Sequence, residues 1–217
     1  MMFFKKFLKE KSIMGYYIFI MNLKIYLLDC SHIPLNVLLA SKYISPLEKI
    51  SFDKYQNEEV KKEKVASSIL KNKYIGEYHI DEFGKPVSDS KYFNISHSHS
   101  VVVLIIDETT PIGIDIEKIR PVEDDLKNYI SNESEKKYIH DPISFFEVWT
   151  NKEALVKAQG LGVKQKPSLI PGLPINGVRE YQGNEYFNKT IRYNDYVISV
   201  SRKENIEFEL TIIQEVI

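Results

Sequence analysis

Ile112-Gly113-Ile114-Asp115-Ile116-Glu117 is the stretch on which the reading of the fold turns. Side chains alternate across a strand, so Ile112, Ile114 and Ile116 share one face while Gly113, Asp115 and Glu117 share the other. One face packs; the other presents two carboxylates beside a residue with no side chain. Immediately upstream, the run Val101 to Ile106 reads as a buried strand and Asp107-Glu108-Thr109-Thr110-Pro111 as a turn. Residues 112–117 are therefore expected to return as the antiparallel hairpin partner of that strand.

Working outward, residues 23–29 read as a strand, and Pro46 introduces a charged helical region. Asn57 to Lys73 is amphipathic at helical spacing. Phe83-Gly84-Lys85-Pro86 is a turn by its glycine and proline. Downstream, Asp124 to Tyr138 reads as one charged helix, and Pro142 precedes a second from about Ile143 to Gln159. Gly160 and Gly162 can end it. Ile191–Tyr193, Tyr196–Val200 and Ile206–Ile213 suggest a closing antiparallel sheet. The class is α+β.

Composition narrows the functional classes. The chain has 217 residues, 43% of them hydrophobic, and its 14 Tyr and 11 Phe can furnish a substantial core. With 29 basic and 30 acidic residues the net charge is −1, which gives no support to general attraction for nucleic acid or membranes. The single cysteine, Cys30, cannot form an internal disulfide, so a reducing, cytoplasmic setting is expected. At the N-terminus, Lys5, Lys6, Lys9 and Lys11 precede an apolar stretch, Ile13 to Leu23, too short to span a bilayer. Met21 opens a good strand by itself, so residues 1–20 read as an extension outside the core fold.

The chemistry lies in a few side chains. Asp115 and Glu117 are hard oxygen donors of the kind Mg²⁺ uses together with substrate phosphates. In Trp149-Thr150-Asn151-Lys152-Glu153-Ala154-Leu155-Val156-Lys157, Glu153 and Lys157 stand at i and i+4 on one side of a helix. Each cluster alone reads first as something bland, a solvated strand face or a surface ion pair. Ser96 and His97 precede the buried strand, where a histidine serves a phosphate or a local backbone group equally well. Lys85 in its Gly-Lys-Pro turn is uninformative by itself.

Order and spacing change the weighting. Gly84-Lys85-Pro86, Phe93-Asn94-Ile95-Ser96-His97-Ser98, Gly113-Ile114-Asp115-Ile116-Glu117 and Trp149…Lys152-Glu153-Ala154-x-x-Lys157 occur in sequence. From about Met21 onward the chain closely resembles the 4′-phosphopantetheinyl transferase superfamily, specifically its monomeric Sfp type and the branch carrying a Trp…Lys-Glu-Ala pattern. That resemblance implies a pseudo-dimer of two similar α+β halves, here 21–110 and 111–217, with the active site in the cleft between them. It also implies transfer of the phosphopantetheine arm of coenzyme A to a serine of an apo acyl or peptidyl carrier protein, releasing adenosine 3′,5′-bisphosphate.

By the same resemblance, Asp115, Glu117 and Glu153 hold Mg²⁺ (Mn²⁺ being the alternative ion) on the coenzyme A pyrophosphate. Glu153 activates the carrier serine and Lys157 contacts the phosphates. Ser96 and His97 match phosphate contacts, and Lys85 with Pro86 the stretch flanking adenine. The first long helix usually brings an arginine to the 3′-phosphate; Lys62 is the match here, with Lys49 a further candidate. His99 replaces a glycine common in the family. The carrier would dock near Lys118 to Phe145, and its pathway (fatty acid, polyketide or nonribosomal peptide) is not readable. Two other readings stay open: another Mg²⁺-dependent phosphoryl or nucleotidyl enzyme, and a non-catalytic coenzyme A or carrier-binding module.

Overall fold

The computed structural model describes residues 8–13, 16–82, 84–160 and 165–217, with side chains from residue 21 onward. Lys5, Lys6, Phe83 and Gly162, all used in the sequence reading, lie outside the described residues. Leu8–Ile13 (β1) and Tyr16–Asp29 (β2) form an antiparallel ribbon. Among the described residues, 16–20 of β2 pair with β1 alone, whereas Ile25–Asp29 pair with the buried strand Val101–Asp107.

Between these strands lie the short helices Leu35–Leu39 (α1) and Pro46–Ser51 (α2), the second opened by a capping box between Ser45 and Glu48. Glu58–Tyr74 (α3) follows, with Asn57 accepting from the Val60 N–H as its cap. His79–Ile80 (β3) and Pro86–Val87 (β4) make a small hairpin, and Tyr92–Ser98 (β5) pairs antiparallel with Val101–Asp107 (β6). Both faces of β6 are covered, which is why its sequence runs apolar without alternation. Val102 and Leu104 join Val65, Ala66, Ile69 and Leu70 of α3, while Val101, Val103 and Ile105 face the other way.

Ile112–Lys118 (β7) does not return along β6, contrary to the hairpin expected from the sequence. It opens a second sheet, pairing with Tyr196–Lys203. The turn explains the departure. Asp107 Oδ1 accepts from the N–H groups of Thr109 and Thr110, and its Oδ2 accepts from Arg202 Nε at 2.7 Å. The chain is thereby hooked onto the second sheet as it leaves the first. The expected helix from Asp124 to Tyr138 is also two helices, Asp124–Ile130 (α4) and Glu133–Tyr138 (α5). Asn132 interrupts it by forming a capping box with Glu135 that starts α5 afresh.

Pro142–Gln159 (α6) is capped by Asp141 and ended by Gly160, whose left-handed φ of 82° suits a residue without Cβ. The second sheet is completed by Gly177–Tyr181 (β8), Asn184–Tyr193 (β9) and Tyr196–Lys203 (β10), in the order β7-β10-β9-β8. Phe208–Gln214 (β11), expected as an antiparallel member of that closing sheet, instead crosses back and pairs parallel with β2 of the first. Phe208 anchors the crossing: fully buried, it stacks edge-on with Phe187 of β9.

The fold is thus α+β, with a long helix on each of two sheets: α3 on β2 and β6, α6 on β7, β9 and β10. Ile112, Ile114, Ile116, Ile198 and Val200 of one sheet bury against Leu23, Ile25, Leu27, Val101, Val103 and Ile105 of the other. Complete burial of such a side chain is worth about 1.5–3 kcal/mol, so this seam fixes how β7 lies beside β5.

Candidate active site

At the edge of the seam, side chains of β5 take over where the backbone ladders end. Asn94, Ser96 and Ser98 alternate along one face of β5 and reach across to β7. Asn94 Oδ1 accepts from Ile114 N at 2.9 Å, Ser96 Oγ donates to Asp115 Oδ1 at 2.8 Å, and Ser98 Oγ accepts from Lys118 N at 3.2 Å. The role of Asn94 and Ser98 was not read from the sequence, although their period-two polarity inside a strand was its trace.

The opposite face of β7 meets α6. Gly113 lies so close to the helix that an added Cβ would stand 2.1 Å from the Ala154 carbonyl oxygen and 2.4 Å from Ala158 N. Ala154 and Ala158 are one turn apart, and Glu153 and Lys157 precede them by one residue each. The contact therefore sets the helix rotation that carries Lys157 to Asp115.

Lys157 Nζ donates to Asp115 Oδ1 at 2.6 Å, to Ser96 Oγ at 3.0 Å and to the Ile114 carbonyl at 3.2 Å. Asp115 is buried, not part of a solvated face, and among the described residues its Oδ2 has no hydrogen-bond partner. Burial raises its pKa above the ordinary carboxylate value, against the pull of the Lys157 ammonium. Glu153 is raised too, first by burial and then by the charges of Asp115 and Glu117, while Lys157 opposes the shift. Glu117 Oε2 accepts from Ser98 Oγ and from Arg120, each at 3.0 Å.

Three carboxylates thus act on one another through a poorly solvated space into which Lys157 brings its ammonium. Among the described residues no three His, Cys, Asp or Glu side chains are gathered closely enough to hold a metal ion as they stand. The donor set nevertheless suits a hard divalent cation: all donors are oxygens, one is a buried carboxylate oxygen without a partner, and the surplus charge is negative.

The other sequence candidates distribute around this centre. Lys85 Nζ donates to the Lys157 carbonyl at 3.0 Å, in the last turn of α6 where a cation complements the helix dipole. Burial lowers its pKa. Lys85 and Pro86 line a small cleft with Ser88, Tyr92, Phe93 and Pro111. His97 points away from Ser96, toward α3, where Nδ1 lies 3.0 Å from Glu63 Oε2 and Nε2 lies 3.2 Å from Lys64 Nζ. Lys62 pairs loosely with Glu58 at 3.8 Å, and Lys49 stands exposed on α2. No hydrogen bond or ion pair joins either lysine to the Asp115 centre among the described residues.

Lys152 faces the interior. Its Nζ donates to Glu135 Oε2 at 2.6 Å and to the carbonyls of Ile130 and Pro167, and Glu135 Oε1 accepts from Gly172 N. This buried knot ties α4, α5 and the 165–172 segment to α6 directly behind Glu153. No spacing rule brings Glu135 to Lys152, so sequence reasoning missed it.

Residues 111–201, which contain Asp115, Glu117, Glu153 and Lys157, match the family model of the 4′-phosphopantetheinyl transferase superfamily. The chain is 39% identical over 90 residues to 4′-phosphopantetheinyl transferase gsp of Aneurinibacillus migulanus, which covers 38% of each protein. It is 34% identical over 91 residues to 4′-phosphopantetheinyl transferase Sfp of Bacillus subtilis, covering 38% of this chain and 40% of that one. With 4′-phosphopantetheinyl transferase AcpT of Salmonella typhi the identity is 31% over 105 residues, 43% of this chain and 54% of the relative. The match spans about two fifths of the length of the first two relatives. No helix among the described residues is long and apolar enough to cross a membrane.

Proposed function

We propose that the protein is a 4′-phosphopantetheinyl transferase, moving the phosphopantetheine arm of coenzyme A to a serine of an apo carrier protein and releasing adenosine 3′,5′-bisphosphate. The observation that carries this reading is the convergence of Ser96, Asp115 and Lys157 at the Gly113 contact, inside the segment matched to the superfamily. The relatives' names supply the reaction class.

Attack on a phosphoryl group depends on charge neutralisation and alignment more than on covalent help. Lys157 offers an ammonium already oriented by three acceptors, ready to donate to a pyrophosphate oxygen. Ser96 can donate to the same group from β5. Asp115, Glu117 and Glu153 would hold Mg²⁺, which when bound neutralises charge on the pyrophosphate. The partnerless Asp115 Oδ2 and the mutual charge effects among the acids support that assignment.

Glu153 has the further task of accepting the proton of the attacking serine. Its pKa is raised by burial and by the neighbouring acids, which makes it a stronger base than a free glutamate when ionised. Lys85 and Pro86 border the cleft assigned to the adenine side, and a long helix on each sheet supports a site between two halves. Incubation of the protein with Mg²⁺, coenzyme A and several apo carrier proteins, followed by weighing the carriers, tests the proposal. A phosphopantetheine mass gain supports it; no gain on any carrier, with coenzyme A intact, rejects it.

A further inference from the structure

Glu63, on α3, is a buried carboxylate that the chemistry at Asp115 leaves unused. Both of its oxygens are engaged. Oε1 accepts from the Ser100 backbone N–H at 3.0 Å, and Oε2 faces His97 Nδ1 at 3.0 Å. Burial alone would favour the neutral acid, yet hydrogen bonds from His97 and Ser100 bring its pKa below the ordinary carboxylate value. An ionised carboxylate only accepts, so the proton on that edge of the imidazole belongs to Nδ1.

The consequence falls on the other nitrogen. With Nδ1–H committed to Glu63, Nε2 is directed outward, 3.2 Å from Lys64 Nζ, on a ring whose side chain is 35% exposed. Lys64 donates to Nε2 only while no better acceptor is present. A phosphate oxygen is a better acceptor: Lys64 can turn to it, and a ring carrying hydrogen on both nitrogens donates to it from Nε2 while Glu63 accepts from Nδ1. Ser96, the next residue along β5, points to the opposite side with Lys157. The strand therefore separates two cationic groups, suited to a ligand with two separate phosphate centres.

We propose that Glu63 is a positioning residue, tying the His97 ring and the Ser100 turn to α3 so that His97 Nε2 and Lys64 Nζ together meet the phosphomonoester of the ligand. This rests on the coenzyme A reading and assigns the pyrophosphate to the Ser96–Lys157 side. The match of His97 to a phosphate contact came from the sequence; its dependence on Glu63 and its partnership with Lys64 come from the geometry.

Calorimetric titration of the full chain with coenzyme A and with 3′-dephospho-coenzyme A, which lacks only the monoester, tests it. The wild type should prefer coenzyme A, and Lys64→Ala and His97→Ala should each erode the preference. Glu63→Gln keeps an acceptor oxygen for the Ser100 N–H but turns an NH₂ toward His97. It should cut the preference roughly tenfold, as loss of an orienting partner does elsewhere, with dephospho-coenzyme A affinity unchanged. Equal weakening of both ligands, or an undiminished preference, overturns the proposal. So does a wild type that binds both ligands equally. A wild type that binds neither overturns the coenzyme A reading instead. Independently of any variant, ¹⁵N spectra of the ligand-free protein should show His97 protonated at Nδ1; a neutral ring protonated only at Nε2 would contradict the role of Glu63.

Discussion

Gly113 and Ala154 are in direct backbone contact, close enough that a methyl group at position 113 would stand 2.1 Å from the Ala154 carbonyl oxygen. The strand carrying Asp115 and Glu117 and the helix carrying Glu153 and Lys157 meet there. A side chain would have to push backbone aside, and backbone cannot rotate out of the way. Gly113→Ala should therefore destabilise the protein by about 1–3 kcal/mol or more. Transfer activity should fall further than the folded fraction does, because Lys157 is drawn away from Asp115. Denaturant unfolding and carrier modification measured on the same preparation separate the two effects. Full activity would show that this contact does not set the site.

Lys152 and Glu135 form an ion pair at 2.6 Å with almost no solvent contact. Removing one partner leaves the other charge buried, which costs about 3–5 kcal/mol in comparable cases. Lys152→Met is expected to lose stability on that scale in urea unfolding. Lys152→Met combined with Glu135→Leu should recover part of it, since apolar replacement of both partners removes the unpaired charge. A single variant as stable as the wild type would contradict the buried-pair assignment.

Cys30 donates its thiol to the Ser100 carbonyl at 2.9 Å and is fully buried. Burial, then the charges of Glu63 and Asp29, push its pKa from 9.0 up to about 12. In the unfolded chain the thiol releases its proton near pH 9, whereas in the fold it keeps it to about pH 12. The unfolded state thus binds fewer protons in that window, so stability is full below pH 9 and declines as pH rises above it. Tyr74 and Tyr196, also pushed up to about 12 mainly by burial, act with the same sign. Comparison of wild type with Cys30→Ala isolates the thiol: the variant should show a shallower decline in unfolding midpoint between pH 9 and 11. An identical decline would contradict the shift.

His99 and Ser100 form a two-residue connection between β5 and β6, with φ of 46° and 65°. Both torsions are left-handed, as a type I′ hairpin turn demands, and such turns favour asparagine and glycine. The His99 carbonyl accepts from Tyr196 Oη at 3.0 Å, a contact that any residue retains. His99→Gly should raise stability by about 0.5–1 kcal/mol, less the loss of the Ser98–His99 side-chain contact. A lower melting temperature would indicate that the ring contributes more than the torsion costs.

The two long helices and the strand over 112–118 were legible because their signals are local. Asn57 and Asp141 are caps, Gly160 is a stop, and the isoleucines of 112–116 mark a buried face. The pairing of β7 was not legible. A strand, a short turn and a second strand specify a hairpin unless something distant intervenes, and here Arg202 grips Asp107 from 95 residues away. The return of β11 to β2 is equally non-local. At the site, Asp115, Glu153 and Lys157 were read as functional, and the structure brings Lys157 onto Asp115. The opposite orientations of Ser96 and His97 follow from strand alternation. Glu63 and Glu135 carried no signal, since a glutamate in a charged helix looks solvent-exposed until the fold buries it.

The most direct test of the central claim is the mass of an apo carrier protein after incubation with Mg²⁺, coenzyme A and either the wild type or Glu153→Ala. The account predicts a phosphopantetheine mass gain with the wild type and almost none with the variant, whose fold should persist because Glu153 takes no part in the buried knot. Equal gain with both would contradict the role assigned to Glu153. No gain with either, on any of several carriers, would contradict the proposed function itself.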